Sequence, residues 1–227
     1  MHNYTRTTLF IDGHWVIPDG TGAIEVIDPS TEQPIGSVPN GSGADVDAAV
    51  AAARRAFDPL ISVAERRERV AAVITAMEKR LPDIAETITA EMGAPVRIAQ
   101  SVQTQVPLAV ARGFAAVLDS FEFEERVGNS LVVREPYGVV GAITPWNYPL
   151  YQVIAKVLPA IAAGCTVVLK PSNEAPLSVF EFVEAVEHAG LPAGVVNLVS
   201  GPGAVIGERI AEHPDVDLVS FTGMRTA

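Results

Sequence analysis

The residues best able to do chemistry lie where a short apolar segment ends. Val139–Ile143 is an apolar run that predicts a buried strand, and Pro145 ends it because proline has no N–H to donate to a sheet. Pro149 suits the first position of a helix, which we predict over residues 150–163. Asn147 is therefore expected between a strand and a helix N-terminus, where open α/β sheets bind ligands. Its amide can donate a hydrogen bond to an oxygen on which negative charge develops.

A lysine follows the next apolar segment. Residues 166–169 predict a second buried strand, and Lys170 comes directly after it, before Pro171 and Ser172 turn the chain away. A lysine in that position can reach a hydroxyl or a phosphate of a nucleotide lying over the strand ends. On spacing alone, an ordinary surface lysine at a loop is equally plausible.

Two further features have competing interpretations. Gly201, Gly203 and Gly207 follow a predicted strand, but their spacing is one residue too long for the dinucleotide fingerprint, so structural glycines at a turn are favoured. Cys165 is the single thiol of the chain and is a possible nucleophile. Since it sits between Gly164 and an apolar strand, we interpret it as a small buried apolar side chain.

Composition excludes several classes of function. The 227 residues are 48% apolar and 19% charged, as in ordinary globular proteins, and the net charge of −11 argues against nucleic acid or an anionic membrane as partner. No apolar run approaches the roughly 20 residues of a membrane span. One cysteine excludes an internal disulfide and is consistent with a cytoplasmic protein, and the four scattered histidines have no metal-ligand spacing, so no metal site is predicted.

The first half of the chain predicts strands and then helices. Asp12–Gly13 between apolar runs predicts a hairpin, and residues 24–27 predict another strand, which together form an antiparallel opening. We expect Asp45 to cap a first helix, and Ser62 with Glu65 to form a capping box for a second.

Prolines and charges divide the helical region further. We predict that the second helix ends or restarts at Pro82, and that a third, over residues 96–121, is interrupted at Pro107. The charge run 65–69 is interpreted as a solvated helix face. Residues 122–135 predict a protruding, charged hairpin.

From Val139 onward, strands alternate with helices over short links. Strands are predicted at 139–143, 166–169, 195–199 and 217–221, with helices at 150–163, 177–189 and 204–212 between them. This alternation predicts an α/β fold with a Rossmann-like, doubly wound, mostly parallel sheet.

Several segments together resemble the NAD(P)-dependent aldehyde dehydrogenase superfamily. Residues 138–150, GVVGAITPWNYPL, are similar to its signature, and residues 10–16, 162–178, 191–203 and 216–223 follow in the family's order and approximate spacing. The resemblance covers nearly the whole chain. It implies oxidation of a small aliphatic or aromatic aldehyde to the carboxylic acid with NAD or NADP, in a homo-oligomer whose hairpin at 122–135 reaches a neighbouring subunit.

The resemblance also implies roles for individual residues. Asn147 is expected to stabilise the oxyanion, and Lys156 to lie near the active site as a proton relay, although a surface helix lysine is at least as plausible on spacing alone. Residues expected to bind the cofactor are Ile143, Thr144, Pro145, Trp146, Lys170, Pro171, Ser172, Asn173, Gly203, Phe221, Thr222 and Gly223.

The chain departs from the family pattern in two places. Asn173 stands where the family most often has a glutamate that accepts ribose hydroxyls, which leaves NAD and NADP both open. Met224 stands where a small residue usually precedes the helix that holds the pyrophosphate, and that helix is missing.

The family's nucleophilic cysteine and general-base glutamate belong to motifs that this chain lacks. We therefore expect residues 1–227 to form a truncated NAD(P)-binding domain without its catalytic domain, inactive by itself and with weakened cofactor binding. The alternatives are a nucleotide-binding or oligomer-modulating module and a non-functional truncated product. A related acyl-phosphate reductase is disfavoured by the Pro-Trp-Asn sequence.

Overall fold

A computed structural model of the chain describes residues 4–223. The strands are β1 (Tyr4–Thr5), β2 (Leu9–Ile11), β3 (His14–Val16), β4 (Ala23–Asp28), β5 (Gln33–Pro39), β6 (Glu124–Val127), β7 (Ser130–Val133), β8 (Val139–Ile143), β9 (Thr166–Lys170), β10 (Val196–Leu198) and β11 (Leu218–Phe221). The helices are α1 (Gly43–Ala56), α2 (Val63–Met92), α3 (Val96–Ile98), α4 (Gln105–Ser120), α5 (Pro149–Ala163), α6 (Leu177–His188) and α7 (Glu208–Glu212). Two π-helical segments, Ala99–Gln103 and Gly203–Gly207, precede α4 and α7.

The central sheet has six strands in the order β11-β8-β9-β10-β2-β3. The first four are parallel, and the hairpin β2–β3 joins the β10 edge antiparallel. The predicted mostly parallel α/β sheet with an antiparallel N-terminal region is confirmed.

Helices cover both faces of this sheet. Alternate side chains of a strand point to opposite faces, so Val140 and Val167 pack with α2, α5 and α6, whereas Val139 and Val168 pack with α1 and α7. Buried strands that are apolar on both faces are typical of a sheet sandwiched between two helical layers.

The remaining strands lie outside the central sheet. β4 and β5 pair antiparallel, and β1 pairs parallel with β5, forming a separate three-stranded sheet. β6 and β7 pair only with each other among the described residues, as the predicted hairpin, with Gly128 in the left-handed conformation at its turn.

The N-cap of helix α1 lies three residues before the predicted one, Asp45. Ser42 is the N-cap, and Asp45 is the third helical residue, whose carboxylate accepts the backbone N–H of Ser42 at 2.8 Å. The capping box was not predicted here because aspartate replaces the usual glutamate or glutamine. At α2 the predicted box of Ser62 and Glu65 is confirmed.

The predicted breaks at Pro82 and Pro107 are wrong. α2 runs through Pro82 to Met92, since Leu81 and Ile84 on either side are buried and their packing outweighs the missing hydrogen bond. Pro107 lies in the first turn of α4, where a backbone N–H has no partner within the helix. The interruption before α4 comes from the π-helical segment Ala99–Gln103.

One residue of the charge run 65–69 is not solvated. Arg66 is buried, its Nε donates to the Ile61 carbonyl at 3.2 Å, and its guanidinium lies 4.7 Å from the centre of the Phe123 ring. Phe123 begins the hairpin segment, so Arg66 holds the base of the hairpin by a cation–π contact.

Among residues 4–223, no helix combines the length and the apolar character that are needed to cross a membrane.

Candidate active site at the carboxyl edge of the parallel sheet

Three parallel strands end side by side at one edge of the sheet. In the strand register Ile143 of β8 pairs with Lys170 of β9 on one side and with Phe221 of β11 on the other. Residues predicted from three separate segments therefore lie in one row. Carboxyl ends of parallel strands are where open α/β sheets bind ligands.

Lys170 is almost fully buried in this row. Its side chain is 4% exposed, and its Nζ donates to the Pro171 carbonyl at 3.0 Å. Burial lowers the pKa of Lys170 to about 8, so the ammonium is still mostly charged at neutral pH. An ammonium has three donor hydrogens, and one acceptor among the described residues leaves two for a ligand.

Thr144 and Gly207 border Lys170. The Thr144 N–H donates to the Lys170 carbonyl at 3.0 Å, and the Thr144 hydroxyl is buried without a hydrogen-bond partner among the described residues. A Cβ added at Gly207 would lie 4.0 Å from the Lys170 side chain and 3.9 Å from that of Ile143. The π-helical segment Gly203–Gly207 thus reaches the same edge, and Gly203, half-buried, begins it.

Lys156 joins α5 to the last strand. Its Nζ donates to Thr222 Oγ1 at 2.8 Å and to Ser220 Oγ at 3.2 Å, and the Thr222 N–H donates to the Ile143 carbonyl at 3.1 Å. Burial lowers the pKa of Lys156. Lys156 is therefore tied to the sheet edge and is not a free surface lysine.

Asn147 lies in the loop between β8 and α5, with an exposed side chain. Its backbone carbonyl accepts a hydrogen bond from Gln103 Nε2 at 3.2 Å. Gln103 is 3% exposed and ends the π-helical segment before α4. Sequence reasoning missed Gln103, because a single glutamine in a helical stretch has no spacing signal, and π-helical turns, frequent at functional sites, cannot be recognised from periodicity.

The other predicted residues lie in the loops that follow β8, β9 and β11. Pro145 is half-buried and Trp146 is 53% exposed. Pro171 is buried, whereas Ser172 and Asn173 are half-exposed in the loop before α6. Gly223 is exposed and follows β11, and Met224 lies outside the described residues.

The sole cysteine is remote from solvent. Cys165 is 3% exposed, directly after the left-handed Gly164 that ends α5. A buried thiol cannot meet a diffusing substrate, which agrees with its interpretation as a packing residue. The described residues contain no cluster of three or more acidic, histidine or cysteine side chains that could hold a metal.

The residues at the sheet edge fit a dinucleotide. Lys170 offers a cation with free donor hydrogens, and Thr144 offers a buried hydroxyl without a hydrogen-bond partner among the described residues. The segment Gly203–Gly207 is bounded by glycines and reaches the strand ends, where its backbone can approach a ligand closely. An exposed tryptophan beside them offers an apolar surface.

The chain is also similar to proteins of known class. The model of the aldehyde dehydrogenase family matches residues 15–227. A 3-succinoylsemialdehyde-pyridine dehydrogenase of a Pseudomonas species is 49% identical over 221 residues, which are 96% of this chain and 46% of that protein.

Solved structures agree in fold. Aldehyde dehydrogenase C of Pseudomonas syringae, a mutant in complex with NAD+ and octanal, superposes with a TM-score of 0.93 at 43% identity, over 96% of this chain and 45% of that one. An aldehyde dehydrogenase of Bartonella henselae gives 0.94 at 41% identity, over 96% and 47%. This chain spans about half the length of the relatives that it matches. By sequence and by fold, the chain belongs to the aldehyde dehydrogenase family.

Proposed function

We propose that this chain is the nicotinamide-nucleotide-binding part of an aldehyde dehydrogenase and binds NAD or NADP at the carboxyl edge of its parallel sheet. The single observation that supports this most is the row of Ile143, Lys170 and Phe221, which strand register brings together from three segments. Lys170 would donate to a ribose hydroxyl or a phosphate, and the glycines that bound the segment Gly203–Gly207 would allow its backbone to approach the pyrophosphate closely.

In the whole reaction of the family, an aldehyde becomes a carboxylic acid. The nicotinamide ring, when bound, accepts the hydride that leaves the substrate. Asn147 donates its amide hydrogen to the substrate oxygen as that oxygen gains charge, and Gln103 holds the Asn147 main chain. Lys156 carries a proton or orients Thr222 at the end of β11.

The half-exposed Asn173 allows either cofactor. A carboxylate in its place would accept ribose hydroxyls and repel a 2′-phosphate, whereas an amide does neither strongly. We propose that discrimination between NAD and NADP is weak.

We further propose that this chain does not turn over aldehyde by itself. Covalent oxidation of an aldehyde requires an accessible thiolate, and the one thiol of the sequence, Cys165, is buried beside a strand.

Isothermal titration with NAD+ and with NADP+ tests the binding. We expect saturable binding that Lys170→Met weakens roughly tenfold or more, because a charge-assisted hydrogen bond is lost. Octanal, which the Pseudomonas syringae relative binds, serves with NAD+ to test turnover. No binding by the wild type refutes the proposed site. Steady NADH production by the wild type refutes the proposed lack of turnover, and Cys165→Ala then shows whether Cys165 is the nucleophile.

A second candidate role, oligomer formation, is favoured by the hairpin β6–β7. Its Val127, Leu131, Val132 and Val133 are all exposed, and its strands pair with no other described strand. Exposed apolar strand edges associate with other chains. We expect light scattering to give an oligomer for the wild type and a smaller species for Leu131→Lys, with Ile17→Lys as an exposed control outside the hairpin. A wild-type monomer at all concentrations contradicts this role.

A further inference from the structure

Glu91 is a buried carboxylate on α2, outside the row of strand ends that forms the candidate site. It lies in the last turn of α2 and is 2% exposed. Its Oε2 accepts the Leu177 N–H at 2.6 Å, and its Oε1 accepts the Ser178 N–H at 3.0 Å. One side chain of α2 thus binds both of the first two backbone N–H groups of α6.

Helix α6 has no cap of its own. Pro176 precedes it and makes no side-chain cap hydrogen bond, while the first N–H groups of any helix lack partners within that helix. A carboxylate at a helix N-terminus also interacts favourably with the helix dipole. Glu91 therefore caps the N-terminus of α6 from 86 residues away, whereas a helix is usually capped by a serine or aspartate next to it in sequence.

The segment that Glu91 secures is the loop of residues 171–176, called here the ribose loop. The loop starts at Lys170, whose carbonyl is fixed by the Thr144 N–H at 3.0 Å. It ends at α6, whose first two N–H groups donate to Glu91. Between these ends, the Pro171 carbonyl accepts from Lys170 Nζ at 3.0 Å and Ser172 Oγ accepts from the Glu174 N–H at 3.3 Å. Among the described residues, no hydrogen bond joins Ser172 or Asn173 to another element, so their positions depend on how the flanking backbone is held.

We propose that Glu91 is a positioning residue for nucleotide binding: by holding the start of α6 it fixes the ribose loop so that Ser172 and Asn173 contact the adenosine half of the cofactor. This role rests on the proposed function, in which the nucleotide lies over Lys170. Glu91 is buried at the start of α6 and acts through Leu177 and Ser178, without touching the ligand itself.

Two variants separate positioning from general stability. Glu91→Gln keeps the size of the side chain but presents an NH2 group to one of the two N–H donors, and Glu91→Ala removes both acceptors. Ile88→Val is the matched control, because it trims a fully buried side chain of the same helix without touching α6's first N–H groups.

The readout is titration of each folded variant with NAD+ and with ADP-ribose, which keeps the adenosine half but lacks the nicotinamide ring, alongside hydrogen exchange at Leu177 and Ser178. We expect Glu91→Gln to weaken both ligands by a similar factor, roughly tenfold, because two loop residues must be ordered on binding. Glu91→Ala should weaken the binding of both ligands further, whereas Ile88→Val should weaken it by less than about twofold. Hydrogen exchange at Leu177 and Ser178 should become faster only in the Glu91 variants.

The outcomes are distinct for the two proposals. If the wild type binds NAD+ and Glu91→Gln binds it as tightly as Ile88→Val does, the positioning role is overturned and the nucleotide site stands. If the wild type binds neither ligand, the proposed function fails and this role fails with it. Faster exchange at Leu177 and Ser178 together with selective loss of both ligands supports the proposal.

Discussion

Replacing Lys170 by methionine should stabilise the fold while it weakens nucleotide binding. A pKa lowered by burial from 10.5 to about 8 corresponds to roughly 3 kcal/mol of cost for the charged ammonium, since a tenfold change in an equilibrium is worth about 1.4 kcal/mol. No discount for solvent is needed, because Lys170 is only 4% exposed. Methionine fills a similar volume but loses the hydrogen bond to the Pro171 carbonyl, worth about 1 kcal/mol. The expected net gain is about 2 kcal/mol near neutral pH, or roughly 4–8 °C in Tm.

The pH dependence of that gain provides the sharper test. Because the folded pKa of Lys170 is lower than the unfolded one, the folded chain binds fewer protons between about pH 8 and 10.5, and wild-type stability rises with pH across that window. The advantage of Lys170→Met should therefore shrink toward about pH 10 in urea denaturation. Lys79→Met, at an exposed position of α2, is the control and should change stability little at any pH. The reasoning is refuted if Lys170→Met is less stable than the wild type at neutral pH, or if the difference in their free energies of unfolding does not change with pH.

Three further changes test the fold. Gly164→Ala should lower the free energy of unfolding by at least about 1–2 kcal/mol in urea denaturation, because φ is +90° there and a Cβ would lie 2.9 Å from Arg66 Cζ. Gly113→Ala is the control: no heavy atom lies within 4 Å of its new Cβ, so it should raise the free energy of unfolding by roughly 0.5–1 kcal/mol. Equal effects of the two substitutions would contradict this. Ser62→Ala should cost about 1 kcal/mol through loss of the α2 cap, and an unchanged urea midpoint would count against it. Burial raises the pKa of Glu91 to about 7, so the stability it contributes is full below about pH 4.5 and is lost as pH rises through about 7. Glu91→Gln should flatten that profile, and a variant that keeps the wild-type slope would exclude Glu91 as its source.

Local patterns predicted most of the elements. The apolar runs of β8 and β9, the Asp12–Gly13 hairpin and the capping box at Ser62 depend on residues close in sequence, so the chain itself carries the signal. Predictions failed where packing outweighs a local preference. Pro82 disfavours a helix, yet α2 continues through it, because its neighbours on both sides are buried against other elements.

Part of the candidate site could also be predicted. A lysine directly after one apolar strand and an asparagine in the loop after another place Lys170 and Asn147 at ligand-binding positions of any parallel sheet. Gln103 and Glu91 could not be predicted, since each acts on a backbone group 44 or 86 residues away and has no motif around it. Their roles exist only after the helices have packed.

The sequence alone determined the class of the fold, the family and the residue types available at the strand ends, because these depend on periodicity and on short motifs. Tertiary structure alone decided which of those residues share an edge, how deeply Lys170 is buried and which distant side chains hold the loops. The physical reason is that strand register, desolvation and hydrogen bonds between helices arise from contacts between segments far apart in the chain, on which local spacing carries no information.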